Sequence, residues 1–238
     1  MYRYLDIPYF LKKEAIIKSF STIDNFVDMI NVDRKFKADA FYECGYKHQP
    51  LHLKEHKLFV DYINSHYKSR IKLSEYVPYL ITNKKQNLTI HTDNGIAIWA
   101  NEERTELDFD RFHTCSINFT FGHYTSRLQY FKPIDSKKIY HLPFHQDDDI
   151  KIKEEIPMLN REDAELMEEV VLDTCYPTLV STNYFHSAKN SLSDIPRCVV
   201  SFPLYRPDDS ILPFDEACDI LKTEFLPEDY KFGMLHDI

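Results

Sequence analysis

The pattern of apolar and polar positions changes character near residue 77. Before it, residues 10–31 mix Ile, Phe, Val and Met at helix-like spacing. Residues 51–67, LHLKEHKLFVDYINSHY, set Leu53, Val60, Ile63 and Tyr67 near one face with charges elsewhere, which predicts an amphipathic helix. After it the period shortens. The runs VPYLIT, NLTIHT, IAIWA, FHTCSINFTF, RLQYF, TLVSTNYF and RCVVSFPL are β-rich and are separated by Asn, Asp, Pro or Gly. Between them NREDAELMEEVV (160–171) predicts a helix opened by an Asn cap and early acids. The tail PFDEACDILKTEF predicts another. Many short strands with a few helices predict a mainly β fold, a sandwich or jelly roll with a helical N-terminal layer. The expected organisation is one domain over 1–238: helical support over 1–76, a jelly-roll core over 77–205 and a helical extension over 206–238.

Composition narrows the setting. The chain has 238 residues, 43% hydrophobic and 28% charged, the balance of a soluble globular protein able to bury a core. No apolar run approaches the roughly 18 residues that would predict a membrane span. The opening MYRYLDIPYFLKKEAIIKSF carries acid inside it and no small-residue cleavage site, so no signal peptide is expected. Only 4 glycines occur and no Gly-rich phosphate loop is present, which excludes the common nucleotide-binding motifs. A formal charge of -9 disfavours nucleic-acid binding over a wide face. Five cysteines (Cys44, Cys115, Cys175, Cys198, Cys218), odd in number and without a CxxC pair, read as reduced thiols of a cytoplasmic protein.

Chemistry-bearing residues concentrate in two places. The stretch PTLVSTNYFHSAKNSLSDIPRCVVSFPL reads as a strand ending near His186, a polar turn, and a strand starting at Arg197. If the strands are antiparallel, the imidazole and the guanidinium can point into one cavity. An imidazole can bind iron, and a guanidinium can grip a carboxylate through two parallel hydrogen bonds. Ser201, an even number of positions past Arg197, shares its face. Upstream, in NLTIHTDNG, His91 and Asp93 lie two apart on a predicted strand end and would point the same way. His91, Asp93 and His186 would make a two-histidine, one-carboxylate facial triad, the ligand set of non-haem Fe(II) oxygenases. A second His-x-Asp pair, His145 and Asp147 in HLPFHQDDD, is the rival for the first two positions; its acidic setting favours a solvated loop. His141 and His145 have a metal spacing only on a helix, and Pro143 opposes one there.

With these residues the chain resembles the 2-oxoglutarate- and Fe(II)-dependent oxygenases, in their prolyl-hydroxylase-like and phytanoyl-hydroxylase-like forms. The resemblance covers roughly residues 77–205 and is strongest over PTLVSTNYFHSAKNSLSDIPRCVVSF. It implies a double-stranded β-helix (jelly roll, cupin-like) with flanking helices. It implies His91, Asp93 and His186 as iron ligands, and Arg197 as the partner of the distal carboxylate of 2-oxoglutarate. Ser201 and Asn118 would line the cosubstrate pocket. The expected activity is hydroxylation of a C–H bond of a small molecule or protein side chain, with dioxygen consumed and succinate and CO2 released. His186 follows Asp93 by 93 residues, longer than compact members; the excess falls to 94–110 and 132–165, the former a candidate lid. Tyr124 and Tyr130 are candidates for the pocket wall, Trp99 for core packing and Asn190 for capping the turn after His186. Two other readings stand beside this one: a cupin-like isomerase or binding protein, and a non-catalytic interaction protein with a decayed site.

Overall fold

The computed structural model describes residues 1–7, 34–38, 41–46, 54–74, 77–82, 87–93, 97–99, 107–110, 114–121, 126–144, 154–171, 176–190, 192 and 197–227. In chain order the described strands begin with β1 (Tyr2–Tyr4), β2 (Arg34–Ala38), β3 (Phe41–Tyr46), β4 (Lys72–Leu73) and β5 (Val77–Thr82). They continue with β6 (Ile90–His91), β7 (Ala97–Trp99), β8 (Leu107–Asp110), β9 (Cys115–Phe121) and β10 (Arg127–Pro133). The last six are β11 (Tyr140–Phe144), β12 (Glu154–Leu159), β13 (Ala164–Val171), β14 (Thr178–Ser181), β15 (Phe185–Lys189) and β16 (Arg197–Tyr205). Helix α1 (Lys54–Tyr67) precedes β4 and helix α2 (Phe214–Leu221) follows β16.

The strands form two antiparallel sheets and a separate β7–β8 hairpin. The larger sheet runs β1-β14-β9-β16-β5-β3-β2, with β4 added beside β16; the smaller runs β11-β12-β6-β15-β10-β13. The chain passes from one sheet to the other between β5 and β6, β9 and β10, β13 and β14, β14 and β15, and β15 and β16. That repeated crossing is the winding of a jelly roll, so the expected mainly β architecture is the one observed.

Alternation along the larger sheet divides its two faces. Val200, Phe202 and Leu204 of β16 and Cys115, Ile117 and Phe119 of β9 join Phe59, Ile63 and Tyr67 of α1 and Ala217 and Leu221 of α2 in the main core. The Phe59 ring lies 4.8 Å from that of Phe119 and 4.7 Å from that of Phe202. Glu224 accepts hydrogen bonds from the phenols of Tyr62 and Tyr67, tying α1 to the turn after α2. The helices therefore cover the outer face. The residues between, among them Arg197, Val199 and Ser201 on β16 and Ser116, Asn118 and Thr120 on β9, face the smaller sheet. A second cluster, Leu128, Tyr130 and Val170 of the smaller sheet against Val180 of β14, joins the two inner faces.

Three expectations need correction. The segment 160–171 is not a helix: a 3-10 turn at Arg161–Asp163 leads directly into β13, and the Asn160 side chain caps nothing. The N-terminal third is not wholly helical, because β2 and β3 form a hairpin that extends the larger sheet. The run TLVSTNYF is two strands, β14 and the start of β15, separated by a bend. The helix expected over 10–31 lies outside the described residues. Among the described residues, no helix is long and apolar enough to cross a membrane.

Candidate metal centre

β6 and β15 are neighbours in the middle of the smaller sheet, and His91 pairs directly with His186 across them. His186 in turn pairs with Tyr130 on β10. Directly opposed residues share a sheet face. Tyr130 packs against Val180 of the larger sheet, so both imidazoles point inward with it. Their ring centroids are 4.7 Å apart. The chain bends at Asp93, just after β6, and returns its carboxylate to the same spot. Asp93 Oδ1 lies 3.4 Å from His91 Nε2 and 3.6 Å from His186 Nε2. The three ligand atoms all lie within 4.8 Å of one another.

Backbone carbonyls set the tautomer of both rings. Nδ1 of His91 is 2.8 Å from the carbonyl of Thr89, and Nδ1 of His186 is 2.9 Å from the carbonyl of Tyr184. A carbonyl only accepts, so each Nδ1 carries the hydrogen and each neutral ring offers the Nε2 lone pair to the cluster. Burial is the largest influence on His91 and acts to lower its pKa, but the Asp93 hydrogen bond and charge and the Thr89 carbonyl outweigh it, so the net shift is upward. At His186 burial prevails over the attraction of Asp93, with the His91 and Arg197 charges adding to it, and the pKa falls.

This donor set fits a divalent transition metal. Cis ligands about 2.1 Å from a metal stand about 3 Å apart, so the two histidine–aspartate gaps need to close by only about half an ångström. Two imidazoles and one carboxylate also leave adjacent coordination positions open. The three side chains keep relative exposures of 22%, 23% and 13%, so the cluster sits recessed but reachable.

The other expected site residues lie on the opposite wall. Arg197, 4% exposed, opens β16 and pairs in register with Thr82 of β5. Ser201, also 4% exposed, pairs with Asn118, which pairs on its other side with Thr178. Asn118 accepts a hydrogen bond of 2.9 Å from Ser116. All of these residues face the space between the sheets. Asn190, expected to cap the turn after His186, instead links three segments among the described residues: its side-chain oxygen accepts from Ser126 at 2.5 Å, its amide nitrogen lies 3.5 Å from the Thr82 carbonyl, and its backbone N–H donates to the Asn87 side chain at 3.0 Å. Tyr130 is fully buried, and its phenol contacts main chain at Met1 and Ser181. The rival residues His145 and Asp147, and Tyr124, lie outside the described residues. His141 lies on β11, a strand, so the helical spacing with His145 does not arise. Trp99 lies on β7, within the candidate lid, of which the two short strands β7 and β8 are described.

Sequence reasoning missed the main-chain groups. The carbonyls of Thr89 and Tyr184 orient the histidines, and that of Thr182 accepts from the Asp93 amide at 3.2 Å. No side-chain pattern announces such contacts.

Fold and cluster together define a jelly-roll-like β protein with a His–Asp–His group on the inner face of its smaller sheet. No protein-family model matches the chain, and no curated protein matches it. Among solved structures it is similar to HygX from Streptomyces hygroscopicus with nickel and 2-oxoglutarate bound, at 11% identity over 83% of this chain and 80% of that one, with a TM-score of 0.35. HygX with nickel, 2-oxoglutarate and hygromycin B bound matches at 11% identity over the same shares, with a TM-score of 0.35. The apo form matches at 12% identity over 83% of this chain and 79% of that one, with a TM-score of 0.33. Overlap at these scores is too slight to transfer a function.

Proposed function

We propose that this protein is an Fe(II)- and 2-oxoglutarate-dependent dioxygenase that hydroxylates a C–H bond of a small-molecule or protein side-chain substrate. The observation that carries the reading is the convergence of two tautomer-fixed imidazoles and one carboxylate within 4.8 Å on the inner face of a jelly roll. His91, Asp93 and His186 hold the metal. Iron supplies dioxygen activation there, with 2-oxoglutarate as the two-electron reductant that leaves as succinate and CO2.

The chain's own groups bind and orient. Asp93 offsets one of the two metal charges, and the histidines donate without bringing charge of their own. Arg197 pairs with the distal carboxylate of 2-oxoglutarate through its planar fork of N–H donors, while Ser201 and Asn118 line the same wall. A guanidinium buried between two sheets attracts an anion far more strongly than one in water.

The test is an anaerobic titration of the protein with Fe(II) and then 2-oxoglutarate, followed by the visible metal-to-ligand charge-transfer band. The band appears with wild type and is lost in a folded His186→Ala variant. A folded wild-type protein that develops no band refutes the reading.

A further inference from the structure

A single bend of main chain reaches two of the three cluster residues. β14 ends at Ser181 and β15 begins at Phe185, and the residues between carry the chain from the larger sheet to the smaller. Within that bend the carbonyl of Thr182 accepts from the Asp93 amide at 3.2 Å, and the carbonyl of Tyr184 faces His186 Nδ1 at 2.9 Å. The bend thus sets both where the carboxylate enters and how one imidazole is turned.

The start of the bend is held from three sides. Ser181 N–H donates to the carbonyl of Met1 at 2.9 Å, and Thr182 N–H donates to that of Thr114 at 3.0 Å. The third hold is Tyr130. Its phenol is 3.1 Å from the Met1 carbonyl and 3.3 Å from the Ser181 carbonyl, one donor shared between two acceptors. Its ring lies beside the bend's products, with its centroid 6.3 Å from that of His186 and 6.5 Å, edge to face, from that of Tyr184. Register reinforces this, because Tyr130 stands directly opposite His186.

We propose that Tyr130 is a positioning residue: its phenol pins the Ser181–Tyr184 bend, so that the Thr182 and Tyr184 carbonyls present Asp93 and His186 to a common metal. The inference rests on reading the cluster as a metal site. It assigns Tyr130 a role through main chain rather than contact with substrate or metal. Loss of the phenol hydroxyl leaves the ring's packing in place but removes its hydrogen bond to the Ser181 carbonyl, where β14 enters the bend. Groups bonded directly to metal ligands are worth about 10- to 100-fold in metal affinity, and Tyr130 acts one hydrogen bond further out, so about 10-fold is the scale expected of it.

The experiment titrates the full chain with Co(II) alone and reads both affinity and the visible ligand-field spectrum. Wild type binds, and His186→Ala does not. Tyr130→Phe binds about 10-fold more weakly with an altered spectrum. The comparison variant is Tyr67→Phe, which removes a buried tyrosine contact to Glu224 on the far side of the larger sheet. It lowers Tm but leaves Co(II) affinity and spectrum unchanged. If wild type does not bind Co(II), the metal reading falls and this inference with it. If wild type binds, His186→Ala does not, and Tyr130→Phe matches wild type, the positioning role alone is overturned. Should Tyr130→Phe not fold, amide exchange in wild type carries the test. Coupling is reciprocal, so Co(II) must slow exchange of the Asp93 and Thr182 amides together; unchanged exchange at both overturns the proposal.

Discussion

Replacing Arg197 by Ala tests the proposed cosubstrate anchor separately from the proposed metal cluster. Arg197 is 4% exposed, sits on the inner face of β16, and contributes to the field that lowers the His186 pKa. A carboxylate gripped there makes two charge-assisted hydrogen bonds, and a hydrogen bond to a charged group is worth about 1.5–3 kcal/mol. Taking about 3 kcal/mol for the pair, the Kd for 2-oxoglutarate rises roughly 150-fold. Arg197→Lys keeps the charge but loses the planar fork, so its loss is intermediate. The assay is an anaerobic 2-oxoglutarate titration at saturating Fe(II), read by the charge-transfer band, with thermal melts confirming that each variant is folded. Fe(II) affinity without cosubstrate stays close to wild type in both. If both variants fold and titrate at the wild-type midpoint, the anchor lies elsewhere and the role given to the inner wall is wrong.

Two further predictions concern the core. Burial, with the nearby Cys218, pushes the Cys115 thiol from 9.0 up to about 12. At pH 8 its thiolate fraction is then roughly a thousandfold below that of an unperturbed thiol, and native-state alkylation followed by mass spectrometry should be slower by about that factor; alkylation at the free-thiol rate would contradict the burial. Because the folded pKa is the raised one, this thiol's contribution to stability is complete below about pH 9.0 and is lost as pH climbs toward about 12. Phe202→Ala empties the contact between β16 and α1 and should cost about 3–5 kcal/mol in denaturant unfolding, and a loss under about 1 kcal/mol would deny that ring its central place.

Strands whose two faces meet different neighbours were readable in advance. β9, CSINFTF, carries a strict alternation, because one side packs on helices and the other faces Asn118, Ser116 and Thr120 inward, whereas β16 keeps the outer apolar face of Val200, Phe202 and Leu204 but breaks the period with the inward Val199. β13 was not readable, for a physical reason. Its partner register passes from Tyr130–Glu168 to Phe131–Leu166, so Met167 is an extra residue in the ladder. That bulge breaks the period of two within AELMEEVV, a run already rich in good helix formers. Pairing with β10 then overrides the local preference. The hairpin of β2 and β3 was hidden by the expectation that the whole N-terminal third served one purpose. At the site, His91, Asp93, His186 and Arg197 could be singled out because their chemistry is carried by side chains. Their convergence could not be measured, since it depends on the His91–His186 pairing across strands 95 residues apart.

The histidine-orienting groups at Thr89 and Tyr184 are peptide oxygens, which has a consequence for how this chain can diverge. No point substitution deletes a carbonyl. Positions 89 and 184 can therefore wander through many side chains while both imidazoles keep their aim, provided the number of residues between each oxygen and its ring is unchanged. Mutational drift is tolerated there; insertion or deletion is not. Ancestry around such a pair would survive in spacing long after it had faded from residue identity.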